Sequence, residues 1–274
     1  MLTFHKTLAG CEEGSRRAWQ GFVATYTPAM LRFLRVYAPA CDEECQKQVW
    51  QKSLQLLCTG NFQRLRTFDH QSEREFVCDL RAFLLETVAD QLDLAADNTD
   101  NQPPTPHTVK ALLKGLPLIH QVVVFLRLAG YSNGTLKGIL TITPALAQSS
   151  LERLQQKYGV ILPREHDGGL WPAAWINLLR HAWADGTDAC PPLRQFVRVL
   201  DGQTGWNEKE SLEGHAVECL RCLERWAALR EVTHWLRETT PLPADRLDVF
   251  LSGLPVKADS KARMSLLRRM FGET

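Results

Sequence analysis

The chain has 274 residues, 45% of them hydrophobic and 23% charged, so it is long enough for two or three small folded domains. A net charge of +1 excludes a general electrostatic attraction to nucleic acid, and any such binding must rest on local patches or on a partner. No run of 18 apolar residues and no secretion signal is found, which predicts a cytoplasmic protein without a membrane span.

Apolar residues recur at helical spacing along most of the chain, first in residues 18–37, then in 49–57 and 76–92. No alternating run is long enough to indicate a strand, so we predict an all-α fold. The predicted segments are two small helical domains (1–96 and 112–160) joined by a Pro-, Asp- and Asn-rich linker (97–111), a Trp-rich connector (161–186), a metal-binding module (187–240) and an amphipathic basic tail (241–274).

The clearest local motif is a helix-turn-helix near residues 116–158. Residues 122–128 are typical of a buried helix, which Gly130 would end, and Ser132 can cap the next helix. Thr143 and Pro144 suit the N-cap and first turn of a third helix. A short helix, a tight turn and a second capped helix make a unit that reads the major groove of DNA.

The opening helix at 18–26, the segments 44–50 and 81–84, and the helix-turn-helix occur in the order and spacing of one family. Together they resemble the extracytoplasmic-function sigma factors, small bacterial transcription-initiation proteins, over roughly residues 10–158. In that family the counterpart of 44–50 grips RNA polymerase, and the counterpart of 81–84 opens the promoter-melting helix. The resemblance implies a two-domain sigma-like part, with a region 2-like domain at 1–96 and a region 4-like domain at 112–160.

The resemblance also implies partners, which are the bacterial RNA polymerase core, promoter DNA and, as an option left open, a separate anti-sigma protein. No membrane partner is expected. The residues implied to bind polymerase are Glu44, Lys47, Gln48 and Trp50. The residues implied to bind DNA are Arg81, Thr143, Gln148, Ser149, Arg153 and Lys157.

The segment 85–101 departs from the family, because it holds five acidic residues and no Lys or Arg, and cannot form a phosphate-contacting surface. The recognition helix is also poor in charge. One hypothesis is therefore a working sigma factor that takes most of its DNA affinity from polymerase. A second is a sigma-like regulator or scaffold that no longer melts promoters. A third is a helical domain with an accidental resemblance.

A metal-binding pattern lies further along the chain. His215, Cys219 and Cys222 stand at positions i, i+4 and i+7, which share one face of a helix, and Cys190 can supply a fourth ligand. We predict a structural zinc ion with four protein ligands. The alternative is that these cysteines fill a core and His215 is solvated. Residues 187–237 resemble the zinc-binding anti-sigma domain, which implies a module that masks residues 10–158 or docks another protein, with redox release as a further hypothesis.

The remaining cysteines, at 11, 41, 45, 58 and 78, are predicted to be small buried residues rather than a disulfide framework. Six of the eight tryptophans lie in 171–235, where they fill helical cores or, around Trp171, Trp175 and Trp183, form a partner surface. The basic tail suits a solvated amphipathic helix or a contact with DNA or protein. No phosphate loop, nucleophile elbow or metalloprotease helix is found, so we predict that the protein is not an enzyme.

Overall fold

A computed structural model describes residues 3–68, 70–91, 105–158 and 172–256. All regular structure in these ranges is helical, which confirms the all-α prediction. The helices are α1 (Phe4–Glu12), α2 (Arg16–Tyr37), α3 (Glu43–Arg66), α4 (Glu73–Gln91), α5 (Pro106–Leu113), α6 (Leu118–Ala129), α7 (Asn133–Leu140), α8 (Pro144–Tyr158), α9 (Pro172–Ala184), α10 (Leu193–Leu200), α11 (Trp206–Glu218), α12 (Leu220–Glu238) and α13 (Leu247–Leu251), with a 3-10 turn at Ala244–Arg246 before α13.

The first four helices pack around an aromatic core. Ser15 caps α2 by accepting a hydrogen bond from the backbone N–H of Ala18. Phe22 and Phe76 bring α2 and α4 together, with ring centroids 5.8 Å apart. Helix α3 bends at residues 59–62, where four consecutive residues leave helical geometry and three of them have positive φ. This bend divides α3 into a long first part and one final turn.

The helix-turn-helix has the local structure that the sequence predicts. Gly130 ends α6 in a left-handed conformation, with φ of 115°. The Ser132 hydroxyl accepts a hydrogen bond from the N–H of Thr135 and so caps α7. Thr141 lies in the tight turn, and the Thr143 hydroxyl caps α8 by accepting from the Leu146 N–H. Helix α8 packs on α6 and α7.

Helix α12 packs against helices from most parts of the chain. It packs against α2, α4 and α9, against α6 and α7 of the helix-turn-helix, and against its neighbours α10 and α11. Ten of its residues are buried, so it carries apolar surface around most of its circumference. The buried residues of all these helices therefore form one continuous core.

The chain beyond α12 returns to the first helices. The N–H of Leu242 donates to the carbonyl of Ala24 at 2.9 Å, and the Gln51 amide donates to the carbonyl of Val249 at 2.7 Å. Helix α13 consequently packs on α2 and α3. Within the described ranges, every helix is too short or too polar to span a membrane.

The tryptophans were predicted either to fill helical cores or to form a partner surface. Trp175 is fully buried, with its ring 4.8 Å from that of Phe125, so it fills the core. Trp183 is half-buried against the same core. Trp171 lies outside the described residues, as do most of the predicted linker (residues 97–104), the first part of the connector (161–171) and the end of the basic tail (257–274).

Candidate metal centre and helix-turn-helix surface

The four predicted metal ligands come together from separate elements. Cys190 lies in the turn before α10, where its N–H donates to the carbonyl of Thr187 at 2.9 Å. His215 lies on α11, Cys219 between α11 and α12, and Cys222 in the first turn of α12. One potential ligand atom from each of the four lies within 4.8 Å of the others. They form the candidate metal centre.

The centre is not built on one helical face, as the i, i+4, i+7 spacing predicted. Cys219 has extended backbone geometry, with φ of −113° and ψ of 115°, and it separates α11 from α12. The reason is geometric: seven residues of a straight helix rise about 10.5 Å, which is too far for His215 and Cys222 to reach one ion. The break folds the two helix ends towards each other.

The residues present fit a zinc ion. The sulfur atoms of Cys190 and Cys219 lie 3.7 Å apart. A tetrahedron with Zn–S bonds of about 2.3 Å has S–S edges of about 3.8 Å. The Nε2 atom of His215 is buried and has no hydrogen-bond partner in the protein, so it is available for a metal. Three thiols and one imidazole are a donor set of structural zinc sites, and they leave no position for a reacting water.

Cys190 and Cys222, the first and last of the four residues in the chain, differ in electrostatic environment. Burial would raise the pKa of the Cys190 thiol, but hydrogen bonds, the largest from the backbone of Thr187, lower that pKa to about 6. Burial raises the pKa of Cys222, and the neighbouring Cys219 raises it further. A metal ion binds both cysteines as thiolates. Because the thiol of Cys222 has the higher pKa, its deprotonation would depend more on the positive charge of the ion than that of Cys190.

A second polar cluster is buried farther along α12. Arg81 of α4 is completely buried and pairs with Glu224 at 2.8 Å and Glu231 at 2.7 Å, both on α12. It also donates to the hydroxyl of Tyr37, which itself donates to Glu231 at 2.7 Å. Tyr131, from the turn after α6, lies beside Glu231 as well. We call these five residues the Arg81 cluster; it joins α2, α4, the helix-turn-helix and α12.

The Arg81 cluster corrects one sequence prediction. Arg81 was expected to contact DNA, but its side chain has no exposed surface and its guanidinium is held by two carboxylates. Burial alone would lower the pKa of Arg81, yet the carboxylates, led by Glu231, raise it well above its ordinary value and keep it charged. In this arrangement Arg81 binds α12 and not DNA.

The predicted polymerase-binding residues lie at the start of α3. Glu44 and Gln48 are exposed, and Lys47 is half-buried beside Glu44, with the ammonium and carboxylate 3.7 Å apart. Trp50 is different: it is fully buried and its indole N–H donates to the hydroxyl of Thr27 at 2.8 Å. Trp50 therefore anchors α3 to α2 and cannot contact a partner, because its ring faces the core.

Four of the predicted DNA contacts lie on or beside α8 with described side chains. Gln148 and Arg153 are exposed, as is Thr143, whose hydroxyl is engaged in capping. Ser149 is half-buried and its hydroxyl donates to a backbone carbonyl of the same helix. The side chain of Lys157 lies outside the described residues. The outward surface of α8 is therefore polar, with Arg153 as its exposed described cation.

The inward side of α8 is held by a buried hydrogen bond. Ser150 Oγ lies 2.7 Å from Nδ1 of His120, which belongs to α6. Burial, together with the charge of Arg153, lowers the pKa of His120 and favours its neutral form. The contact between His120 and Ser150 therefore joins α8 to α6.

Two features were missed in the sequence. Cys41 and Cys45 were expected to be free buried residues, but they form a disulfide, because the turn capped by Asp42 places their Cα atoms 5.4 Å apart. Cys11, Cys58 and Cys78 are free and buried, as predicted. The acidic partners of Arg81 were also missed, although Glu224 and Glu231 are seven residues apart and therefore share one face of α12.

The structure thus places the candidate metal centre and the Arg81 cluster on one helix, and it leaves the outer surface of α8 exposed. No protein-family model, curated protein or solved structure matches this chain.

Proposed function

We propose that the chain is a sigma-type transcription-initiation factor whose C-terminal zinc module is docked on its own sigma-like part. The observation that carries this proposal is the Arg81 cluster, in which two glutamates of α12 bury the arginine of the segment that resembles the promoter-melting helix. Because α12 packs on α4 and also on α6 and α7, it holds both sigma-like domains in one arrangement. This arrangement is the closed state of the protein.

The helix-turn-helix supplies the promoter contacts. Amide side chains such as Gln148 match the hydrogen-bonding edge of adenine, and Arg153 can bind guanine or a phosphate. With so little positive charge, α8 binds DNA weakly by itself, since phosphate contacts provide most of the affinity of DNA-binding proteins. The polymerase, gripped through the exposed start of α3 around Glu44 and Gln48, supplies the remaining affinity.

The zinc module has a structural role in this scheme. A zinc ion bound by Cys190, His215, Cys219 and Cys222 would cross-link the start of α10, the end of α11 and the first turn of α12. Fixing the first turn of α12 sets the direction of the whole helix, so that Glu224 and Glu231 meet Arg81. The module therefore controls whether α4 is available to contact promoter DNA.

A second candidate function is a sigma-like regulator that binds polymerase or another protein without opening promoters. It is favoured by the acidic end of α4, where Asp90 pairs with Arg180 of α9 at 3.5 Å and the described residues 85–91 contain no cation. Such a surface repels the DNA backbone even when α12 moves away.

Reconstitution with bacterial core polymerase tests both candidates. The variant Glu224→Arg/Glu231→Arg places like charges against Arg81 and should expel α12, while Glu238→Arg changes an exposed residue of the same helix and serves as the matched control. Zinc content and hydrogen exchange in α4 show whether the variant is folded and open.

We expect the open variant to raise promoter-specific transcription about tenfold over the wild type and the control, which corresponds to about 1.4 kcal/mol of closure. Binding of the open variant to polymerase without transcripts would favour the second candidate. Failure of wild type, control and open variant alike to bind polymerase would remove both candidates.

A further inference from the structure

The cysteines of the described residues fall into three chemically distinct sets. Cys190, Cys219 and Cys222 form the first set, at the candidate metal centre, and the second set is the buried free cysteines Cys11, Cys58 and Cys78. Burial raises the pKa of Cys78, and likewise raises that of Cys58 to about 12, so these thiols are unreactive near neutral pH. Cys11 behaves in the same way. The disulfide-bonded pair at 41 and 45 is the third set.

The disulfide lies at the junction between α2 and α3. Cys41 follows the end of α2, Asp42 caps α3, and Cys45 lies in the first turn of α3. Cys41 is buried, and its carbonyl accepts a hydrogen bond from the amide of Gln46 at 2.7 Å. Cys45 is only half-buried, so a thiolate can approach the bond from the side of Cys45.

This bond is poorly suited to a purely stabilising role. Its two cysteines are four residues apart, and a disulfide that closes so short a loop removes little entropy from the unfolded chain. Asp42 already caps the helix, with its carboxylate accepting from the N–H of Cys45 at 2.8 Å. A short, partly accessible disulfide at the start of a helix is instead placed to change state without unfolding the protein.

The position of the bond indicates what it would control. Cys45 follows Glu44 directly, and Lys47 and Gln48 come two and three residues later in the chain. Glu44, Lys47 and Gln48 form the surface that we assign to polymerase binding. We propose that Cys41 and Cys45 are a reversible dithiol–disulfide pair that orders the first turn of α3 when oxidised and loosens it when reduced. The consequence for polymerase binding rests on the proposed function, whereas the redox pair itself does not.

The exchange is balanced with a small dithiol as the reductant. A thiolate of the reductant attacks Sγ of Cys45, the Cys41–Cys45 bond breaks, and Cys41 leaves with the electron pair and takes up a proton. The second thiol of the reductant then attacks the mixed disulfide, releases Cys45 as a thiol and leaves the reductant as a disulfide. The protein gains two electrons and two protons, and the reductant loses the same number.

Redox titration of the full zinc-loaded chain tests the pair directly. Cleavage after Arg35 and Lys47 gives one peptide that holds both cysteines, and its oxidised form is lighter by two hydrogen atoms. In buffers of reduced and oxidised dithiothreitol, we expect this peptide to change state while zinc stays bound. Hydrogen exchange of residues 43–48 should be about tenfold faster in the reduced protein.

The double variant Cys41→Ser/Cys45→Ser should exchange like the reduced wild type in every buffer, and Cys58→Ala, which removes a buried thiol elsewhere in α3, should keep the redox response. A peptide that stays reduced throughout, or exchange rates that do not depend on its oxidation, would overturn the proposal. If the pair titrates and orders α3 but polymerase binds neither state, the redox pair stands and the proposed function fails.

Discussion

Helices α4 and α8 were both expected to contact DNA, yet they differ in their exposure to solvent. Arg81 of α4 is completely buried under α12, whereas Arg153 of α8 is exposed to solvent. Twelve of the 19 residues of α4 are buried, whereas most of the described side chains of α8 are exposed or half-buried. The difference comes from α12, whose two glutamates meet α4 and whose other contacts reach α6 and α7 instead of the outer face of α8.

The contact between α12 and α4 includes buried charged groups as well as apolar side chains. A buried arginine and two buried carboxylates lose a large hydration energy, so the Arg81 cluster adds little net stability compared with apolar residues of the same size. Removing one member alone is costly, because its partners then remain charged and unpaired. The cluster thus restricts which helix can cover α4, and a metal ion at the candidate metal centre would restrict how that helix is directed.

Among the changes that test the difference between α4 and α8, loss of the metal should have the largest effect on stability. Cys222→Ser removes a buried ligand, and we expect it to abolish zinc binding and lower the free energy of unfolding by at least about 5 kcal/mol, since binding to structural zinc sites is worth more than that. Hydrogen exchange should rise more in α4, which packs on α12, than in α8, which packs on α6 and α7. Equal acceleration in the two helices would contradict the assignment of α12 as the direct cover of α4.

A chelator added to the wild type provides the same test without a substitution, in case the variant fails to fold. Cys58→Ser is the matched control, because Cys58 is also a buried free cysteine but lies away from the metal centre. It should retain zinc, and its α4 should remain protected.

A smaller effect is expected when Arg81 is replaced. Arg81→Met leaves Glu224 and Glu231 buried without their cation, which should lower the free energy of unfolding by about 3–5 kcal/mol in urea denaturation. Arg180→Met is the control, since it breaks the exposed pair with Asp90 and should cost less than about 1 kcal/mol. Similar losses for the two variants would show that α12 does not depend on Arg81.

Glu231 should give α4 and α12 a pH-dependent contact. Burial raises the pKa of Glu231 above its ordinary 4.5, against the opposing charge of Arg81. Because the folded-state pKa is the higher one, the stabilisation from Glu231 is complete below pH 4.5 and is lost as the pH rises through the folded-state value. The loss cannot exceed about 1.4 kcal/mol per pH unit.

Urea denaturation at several pH values measures this dependence. Above pH 4.5, the wild type should lose stability with rising pH relative to Glu231→Gln, which does not titrate. Glu238→Gln, on the exposed end of α12, should follow the wild type. A constant difference between the wild type and Glu231→Gln at all pH values would show that Glu231 keeps the same protonation state in the folded and unfolded protein.

The same contrast explains how much the sequence revealed. The helix-turn-helix was predicted nearly residue by residue, because its stops and caps are local: Gly130, Ser132 and Thr143 act on the backbone within four residues of themselves. The four residues of the metal centre were also found from their types and spacing. The break at Cys219 was not, because it is needed only to bring the ligand atoms within reach of one another.

The burial of Arg81 and Trp50 could not be predicted in the same way, since it depends on contacts between distant parts of the chain. Arg81 meets residues more than 140 positions later. Trp50 lies on a helix whose sequence leaves both a buried and an exposed orientation open. The Cys41–Cys45 bond was missed for a chemical reason, because the cytoplasmic location expected from the sequence argues against disulfides.

The smallest effect on stability should come from α8. Because Arg153 is exposed, Arg153→Ala should change the free energy of unfolding by no more than about 0.5 kcal/mol. Its effect on DNA should nevertheless be measurable: if the side chain contacts a phosphate, the slope of log affinity against log salt should fall by about 1 for polymerase-bound protein. Gln155→Ala, an exposed and uncharged control on the same helix, should leave that slope unchanged. An unchanged slope in both variants would mean that α8, although open, does not lie on the DNA backbone at Arg153, and the contrast with α4 would then concern folding alone.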